Sequence, residues 1–184
     1  TDNTGQILRS IAAEDKSLKI IFNNRNFGHI GSPYWGILQC YGDAIIYLAS
    51  DLQDPPELIP IFIDAWEHGY KIALAVKPIS NESKIAHSLR TLYYVFLDKI
   101  SDVQIVKNST GFGLYDQDVV RKLREILDPY PFLRGLIAEL GYSTKIIEFN
   151  QPRRLKGITK NNFHTLYDIA MLGIVTQSIF PIRV

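Results

Sequence analysis

The sequence has 184 residues, 46% of them hydrophobic and 21% charged, with 20 basic against 19 acidic side chains and a formal net charge of +1. This is the size and make-up of one ordinary globular domain. Intrinsic disorder is excluded, and so is a nucleic-acid binder that works through global positive charge. Cys40 is the sole cysteine, which excludes an internal disulfide framework and a cysteine-rich zinc site, and a reducing, cytosolic setting is expected.

In chain order, the sequence opens on Thr1-Asp2-Asn3-Thr4 and closes inside the apolar stretch Phe180-Pro181-Ile182-Arg183-Val184, so both ends are expected to be cuts in a longer protein. A first helix is expected over residues 6–13, capped by Asp2 or Thr4. Residues 18–23 read as a strand, and the unbroken apolar run 44–49 as a strand buried on both faces. Asp54-Pro55-Pro56-Glu57 reads as a helix start with Asp54 at the N-cap, running through 58–68 and stopped by Gly69. A strand over 71–76 follows, then an amphipathic helix over 83–100, with Ile85, Leu89, Tyr93, Phe96 and Ile100 at helical spacing. A short strand pair is expected at 104–107 and 111–115. Asp116 is placed to cap a helix holding Val119, Val120, Leu123 and Leu127, and residues 132–140 form another helix ending at Gly141. A strand at 143–149, a basic loop at 151–162 and a last helix at 164–178 complete the list. Strands alternating with helices predict an α/β sandwich, mostly parallel, with ligands beyond the carboxyl ends of its strands.

Asp51 falls two residues past the strand that ends at Ala49, at such an edge, and the oxygen-rich run Asp51-Leu52-Gln53-Asp54 suits a hard cation such as Mg²⁺ or Mn²⁺. Against this stands the plainer reading of Asp51 as a turn residue and Asp54 as a helix cap. Asn24 to Ser32, with Gly28 and Gly31, suits a loop approaching a ligand ahead of a helix. His29, His68, His87 and His164 read as surface or packing residues. Arg153, Arg154, Lys156 and Lys160 put four positive charges in eight residues, with no acid between Glu148 and Asp168. That is a local anion site or a solvated loop. The last helix, apolar on much of its circumference but interrupted by Asp168, Thr176, Gln177 and Ser178, falls short of a membrane span, and reads either as an interfacial helix or as a core helix.

The string Gly42-Asp43-Ala44 through Ser50-Asp51-Leu52-Gln53-Asp54-Pro55-Pro56-Glu57-Leu58-Ile59-Pro60 resembles the metal-site segment of family 2 glycosyltransferases, specifically the polyprenyl-phosphate (dolichol-phosphate-like) sugar transferases. Arg25-Asn26-Phe27-Gly28, residues 110–116, Phe132-Leu133-Arg134-Gly135-Leu136 and Arg154-Leu155-Lys156-Gly157-Ile158-Thr159-Lys160 agree with that family in order and spacing, over essentially the whole chain.

The resemblance implies a GT-A fold lacking its first βα elements, a nucleotide-diphosphate sugar donor with a UDP-sugar foremost, Mg²⁺ or Mn²⁺, and inverting transfer to a polyprenyl phosphate at the cytoplasmic membrane face. It implies no nucleic-acid partner. Residues 1–162 are then the catalytic domain and 163–184 an amphipathic membrane-proximal helix that leads to transmembrane segments, the fragment itself being soluble and inactive. Carried over by position, Asp51 and Gln53 match the metal and diphosphate positions, Asp51 and Arg134 the catalytic ones, and Arg25, Arg154, Lys156 and Lys160 the donor or acceptor phosphate-binding ones. Two departures stand out: Ala49 replaces the first acid of the family's Asp-x-Asp, and Phe112-Gly113 stands where many relatives have Phe-Arg. The alternatives are a catalytically degenerate membrane-surface or partner-binding module of the same fold, and a nucleotidyltransferase that would release pyrophosphate.

Overall fold

The computed structural model describes residues 3–77, 92–93, 95, 99, 103, 105–126, 128–152 and 163–177. The elements run α1 (Thr4–Glu14), α2 (Gly28–Leu38), β1 (Ala44–Tyr47), a 3₁₀ turn (Pro56–Leu58), α3 (Ile59–Glu67), β2 (Ile72–Val76), β3 (Ser109–Asp116), α4 (Gln117–Glu125), α5 (Leu133–Leu140), β4 (Thr144–Glu148) and α6 (Phe163–Gln177). The four described strands form one sheet in the order β1-β3-β2-β4. β3 is antiparallel to both β1 and β2, and β2 is parallel to β4. Three strands therefore share a direction and β3 opposes them from the middle, so the sheet is mixed, and β2–β4 is its parallel ladder among the described strands.

Helices cover both faces. β2, buried along its whole length, shows why: its side chains alternate across the pleat. Ile72 and Leu74 join Ile45 and Tyr115 under Tyr34, Ile37 and Leu38 of α2, Val119, Val120 and Leu123 of α4, and Leu136 and Ile137 of α5. Ala73 and Ala75 face the other way with Phe112 and Leu114, against Phe62 and Ala65 of α3 and Phe149. The small alanines leave room for aromatic rings, and Phe112 stacks edge-on against Phe62 at 5.0 Å and Phe149 at 5.9 Å.

Several expectations hold. Asp116 caps α4, its carboxylate accepting from the Asp118 N–H. Gly69 and Gly141 follow α3 and α5 at φ +93° and +64°, left-handed stops that favour glycine. Others need correction. Residues 18–23 form no strand. A strand persists only where its N–H and C=O groups find a ladder partner, and Ile21 and Phe22 lie exposed instead, with Arg9 stacked 4.3 Å over the Phe22 ring. β1 ends at Tyr47, and Ile45 is its one buried residue, because β1 is an outer strand of the described sheet. The strand pair within 104–115 does not form: residues 105–108 are loop and turn, and both edges of β3 are taken by β1 and β2. α1 begins at Thr4 with Asn3 at its N-cap, so Thr4 is not the cap. Asp2, Leu127, residue 104 and all but a few positions of the 83–100 helix lie outside the described residues. Along α6, Gly173 is buried near the Tyr93 hydroxyl and the Phe132 ring, while Tyr167, Met171 and Val175 are exposed at fourfold spacing. Among the described residues no helix is long and apolar enough to cross a membrane.

Candidate functional site

The carboxyl ends of β1, β2 and β4 and the amino end of β3 meet at one edge of the sheet, since Tyr47 lies opposite Gly113 and Val76 opposite both Ser109 and Glu148. The loop leaving β1 there is tied by its own acids. The Asp51 Oδ1 accepts from the Gln53 N–H at 3.2 Å, folding a turn across Leu52, which sits at φ +59°. A bulky residue in the left-handed region is uncommon, and such strain collects at functional loops. The Gln53 Nε2 donates to the Pro152 carbonyl at 3.4 Å, joining this loop to the segment after β4.

Asp54 corrects an expectation. It does not cap the following helix: Pro55 holds the N-cap of the 3₁₀ turn, with no side-chain cap bond. Its carboxylate turns back instead, and Oδ2 accepts from the Ala49 N–H at 3.2 Å while the residue is only 4% exposed. The reason is local: β1 pairing stops at Tyr47, and the half-buried N–H two residues on needs an acceptor. Asp54 thereby closes the loop that presents Asp51. Burial raises its pKa above the ordinary carboxylate value, and the Asp51 charge acts in the same direction, against the Ala49 N–H and the Lys77 ammonium. Tyr47 is raised as well, by burial first and then by Asp54 and Asp51. Tyr47, Asp51, Asp54 and Lys77 thus share one electrostatic neighbourhood.

Lys77 follows β2 directly, and its Nζ donates to Gln151 Oε1 at 3.1 Å. Arg134, on α5, reaches the same edge from the other face: Nη1 donates to the carbonyl of Ser109 at 3.1 Å and the guanidinium sits 5.3 Å over the Phe132 ring. It borders a cavity of about 210 Å³ with Gly111, Tyr115 and Tyr142. The Tyr115 hydroxyl donates to the Gly111 carbonyl at 2.5 Å, and burial pushes its pKa far up, so it stays a neutral donor.

The predicted residues are therefore only partly assembled. Asp51 and Gln53 share one turn, and Arg134 stands behind β3 at the same edge. Arg25 lies apart, 4.3 Å over the Phe27 ring, in a groove of about 300 Å³ lined also by Trp35, Tyr130 and Leu172. In the same motif the Asn26 side chain accepts from the Gly28 N–H at 2.8 Å, and Gly28, at φ +75°, opens α2. Arg154, Lys156 and Lys160, with Arg153, lie outside the described residues. Gly113 settles what its position can hold: a Cβ there would run into the Ala73 carbonyl of the neighbouring strand, so this backbone leaves no room for an arginine. Reading the sequence missed Lys77 and Gln151, although Lys77 obeys the rule that found Asp51, a polar residue just past the end of a buried strand.

Among the described residues no three His, Cys, Asp or Glu side chains converge on one point. The donor chemistry available is a carboxylate at Asp51 and an amide oxygen at Gln53. These are hard oxygens that suit Mg²⁺ or Mn²⁺, provided that a ligand's phosphates and water complete the coordination shell.

Residues 1–124 match the model of the family described as "Glycosyl transferase family 2". The chain is 32% identical over 183 residues to a Bacillus subtilis (strain 168) protein named "Uncharacterized glycosyltransferase YkcC", covering 99% of this chain and 57% of that protein. It is 32% identical over 184 residues to the "Prophage bactoprenol glucosyl transferase homolog" of Escherichia coli (strain K12), and 31% identical over 184 residues to the "Bactoprenol glucosyl transferase" of Shigella phage SfV, covering 100% of this chain and 60% of each. The chain thus spans less than two thirds of the length of these curated relatives.

Proposed function

The chain belongs to glycosyl transferase family 2, and from that premise we propose that the whole protein transfers a sugar from a nucleotide-diphosphate donor, a UDP-sugar foremost, to a polyprenyl phosphate at the cytoplasmic face of the membrane. Its fold is of the GT-A type, an α/β architecture with a mixed sheet between helices. The observation that carries the reading is the Asp51–Asp54 loop, with its one half-exposed carboxylate presented at the ligand-binding edge of the sheet by a second, buried one. The names of the bactoprenol relatives supply the acceptor class.

In this reading Asp51 and Gln53 would hold Mg²⁺ or Mn²⁺, which when bound offsets the charge of the leaving nucleoside diphosphate. The chain's own residues do the rest. Asp54 fixes the loop, Arg134 holds the start of β3 through Ser109, and the basic segment with Arg154, Lys156 and Lys160 takes phosphate charge. Arg25 serves as a further phosphate contact in its separate groove. The acceptor phosphate has a second pKa near 6 and is largely a dianion near neutral pH, so it attacks the anomeric carbon with little need of a general base. Attack from the face opposite the leaving group inverts the anomeric centre. Residues 163–184, with Tyr167, Met171 and Val175 exposed along α6, lie along the membrane surface.

The test is transfer of label from a panel of nucleotide sugars into solvent-extractable polyprenyl phosphate by the full-length protein in membranes. In Asp51→Asn, Oδ1 can still accept from the Gln53 N–H, so the turn survives and only the charge is lost. A fall in turnover of about a hundredfold or more is expected. Wild-type turnover in the variant would refute the role of Asp51, and no transfer from any donor would refute the reaction and leave a binding module of the same fold.

A further inference from the structure

The cation that acts on the buried Asp54 of the Asp51–Asp54 loop is one that neither the motifs nor the proposed chemistry has used. Lys77 stands at the carboxyl end of β2, the fully buried strand of the sheet. Its backbone N–H reaches the Asn108 carbonyl, which fixes its Cα at the site edge. Its ammonium lies in the electrostatic neighbourhood of Asp54, acting against the burial of that carboxyl. Its described hydrogen-bond partner is a neutral amide, Gln151 Oε1, and among the described residues no carboxylate forms an ion pair with it. A lysine ammonium has three donors, of which this bond engages one. Compare the lysine at the far edge of the sheet: Lys71 is ion-paired with two carboxylates, Asp116 and Asp118, at 3.1 and 3.0 Å. Lys77 keeps its charge for something else.

We propose that Lys77 is a diphosphate-binding residue of the donor site, its ammonium held ready by the Gln151 side chain beside the Asp51–Asp54 loop and passed to the phosphate oxygens when the nucleotide arrives. The proposal rests on the nucleotide-sugar reading above and adds a residue to it. A compact point charge at the end of a rigid strand is suited to a diphosphate, whose negative charge is spread over several oxygens. Gln151 is an apt holding partner because a neutral amide oxygen gives way to an anion far more readily than a carboxylate does.

The experiment is calorimetric titration of the full-length protein with UDP, GDP and the free nucleosides, in wild type, Lys77→Gln, Lys77→Arg and Gln151→Ala. Lys77→Gln should weaken nucleoside diphosphate binding about tenfold or more while leaving nucleoside binding unchanged, and Lys77→Arg should restore most of the loss. Gln151→Ala should cost much less than Lys77→Gln, because it removes the holding partner and not the charge. Diphosphate affinity in Lys77→Gln within about twofold of wild type overturns the proposal, as does an equal loss in Gln151→Ala, which would make Lys77 a strut for the loop. Wild-type protein that binds neither UDP nor GDP overturns the donor reading itself, a result distinct from a lysine that does not matter.

Discussion

Replacing Asp116 with alanine should undo the end of the sheet opposite the candidate site. One carboxylate there does three jobs. Oδ1 accepts from the Asp118 N–H at 2.8 Å and caps α4, Oδ2 accepts from the Trp66 indole at 2.7 Å, and Oδ1 also takes the Lys71 ammonium at 3.1 Å. Losing an N-cap costs about 1 kcal/mol. Leaving the half-buried indole N–H without an acceptor costs about 1–2 kcal/mol. The Lys71 pair adds little, about 0.5 kcal/mol at most, because Lys71 is 38% exposed and keeps Asp118 as a partner. The expected destabilisation is therefore about 3 kcal/mol, a large share of a domain's usual 5–15. Urea unfolding of the full-length protein followed by far-ultraviolet circular dichroism measures it, and a loss below about 1 kcal/mol would refute the assignment of these roles. The pH dependence adds a second check. Burial works to raise the Asp116 pKa, but the hydrogen bonds from Trp66, the Asp118 N–H and Lys71 outweigh it and hold the carboxyl below its ordinary value of 3.8. A depressed carboxyl contributes stability that is fully present above that ordinary value and is lost as pH falls below it. The wild type should lose stability on acidification more steeply than Asp116→Ala, and parallel curves would contradict the linkage.

Two further substitutions probe the candidate edge. Gly113→Ala puts a methyl group against the Ala73 carbonyl and the Leu74 Cα, both backbone atoms of the adjoining strand. It should cost about 3 kcal/mol or more, seen as a lowered thermal midpoint, and a wild-type midpoint would show that the strands can part. Asp54→Asn keeps an oxygen to accept from the Ala49 N–H and removes a buried charge. Because burial raises the Asp54 pKa, the ionised carboxylate weighs against the fold as pH climbs through and above its ordinary value of 3.8. The variant's urea midpoint relative to wild type should accordingly be higher at pH 7 than at pH 4, and the reverse order would refute it.

What was legible in the sequence was whatever a local pattern determines. β2, the Asp116 cap, the Gly69 and Gly141 stops and the placement of Asp51 past β1 all follow from apolar runs, cap residues and punctuation within a few positions. The misses share a different cause. Whether residues 18–23 pair, and which strands flank β3, depends on neighbours remote in sequence, and no local periodicity reports them. Asp54 shows the same limit at the scale of one side chain. The string Asp-Pro-Pro-Glu fits a helix cap by every short-range rule, yet the unmet N–H of Ala49, five residues back, claims the carboxylate. Lys77 was hidden because strand reading stops at the last apolar residue, and its meaning appears only when the 151–152 segment, over seventy residues on, is brought beside it.

The two edges of the sheet divide the work of one chain. At the Asp116 edge the strong donors and acceptors are matched: Trp66, Lys71 and the Asp118 N–H converge on one carboxylate, and the structure gains from each. At the Asp51 edge the same chemical groups are left in poorer terms. Asp54 is buried against its own charge, Leu52 is held at positive φ, and Lys77 rests on a neutral amide. Of these arrangements, the two electrostatic ones would be relieved by an anion with its cation, since Lys77 would gain a charged partner and the buried Asp54 carboxylate a counter-charge. A site whose residual strain is answered by one class of ligand is preorganised for it. It follows that, at equal free ligand concentration, a nucleoside diphosphate with Mg²⁺ should stabilise the full-length protein more than the free nucleoside does, and that most of this difference should vanish in Asp51→Asn while Asp116→Ala, however unstable, keeps it. A difference that survived Asp51→Asn would place the ligand elsewhere, and the contrast between the two edges would then be a matter of folding alone.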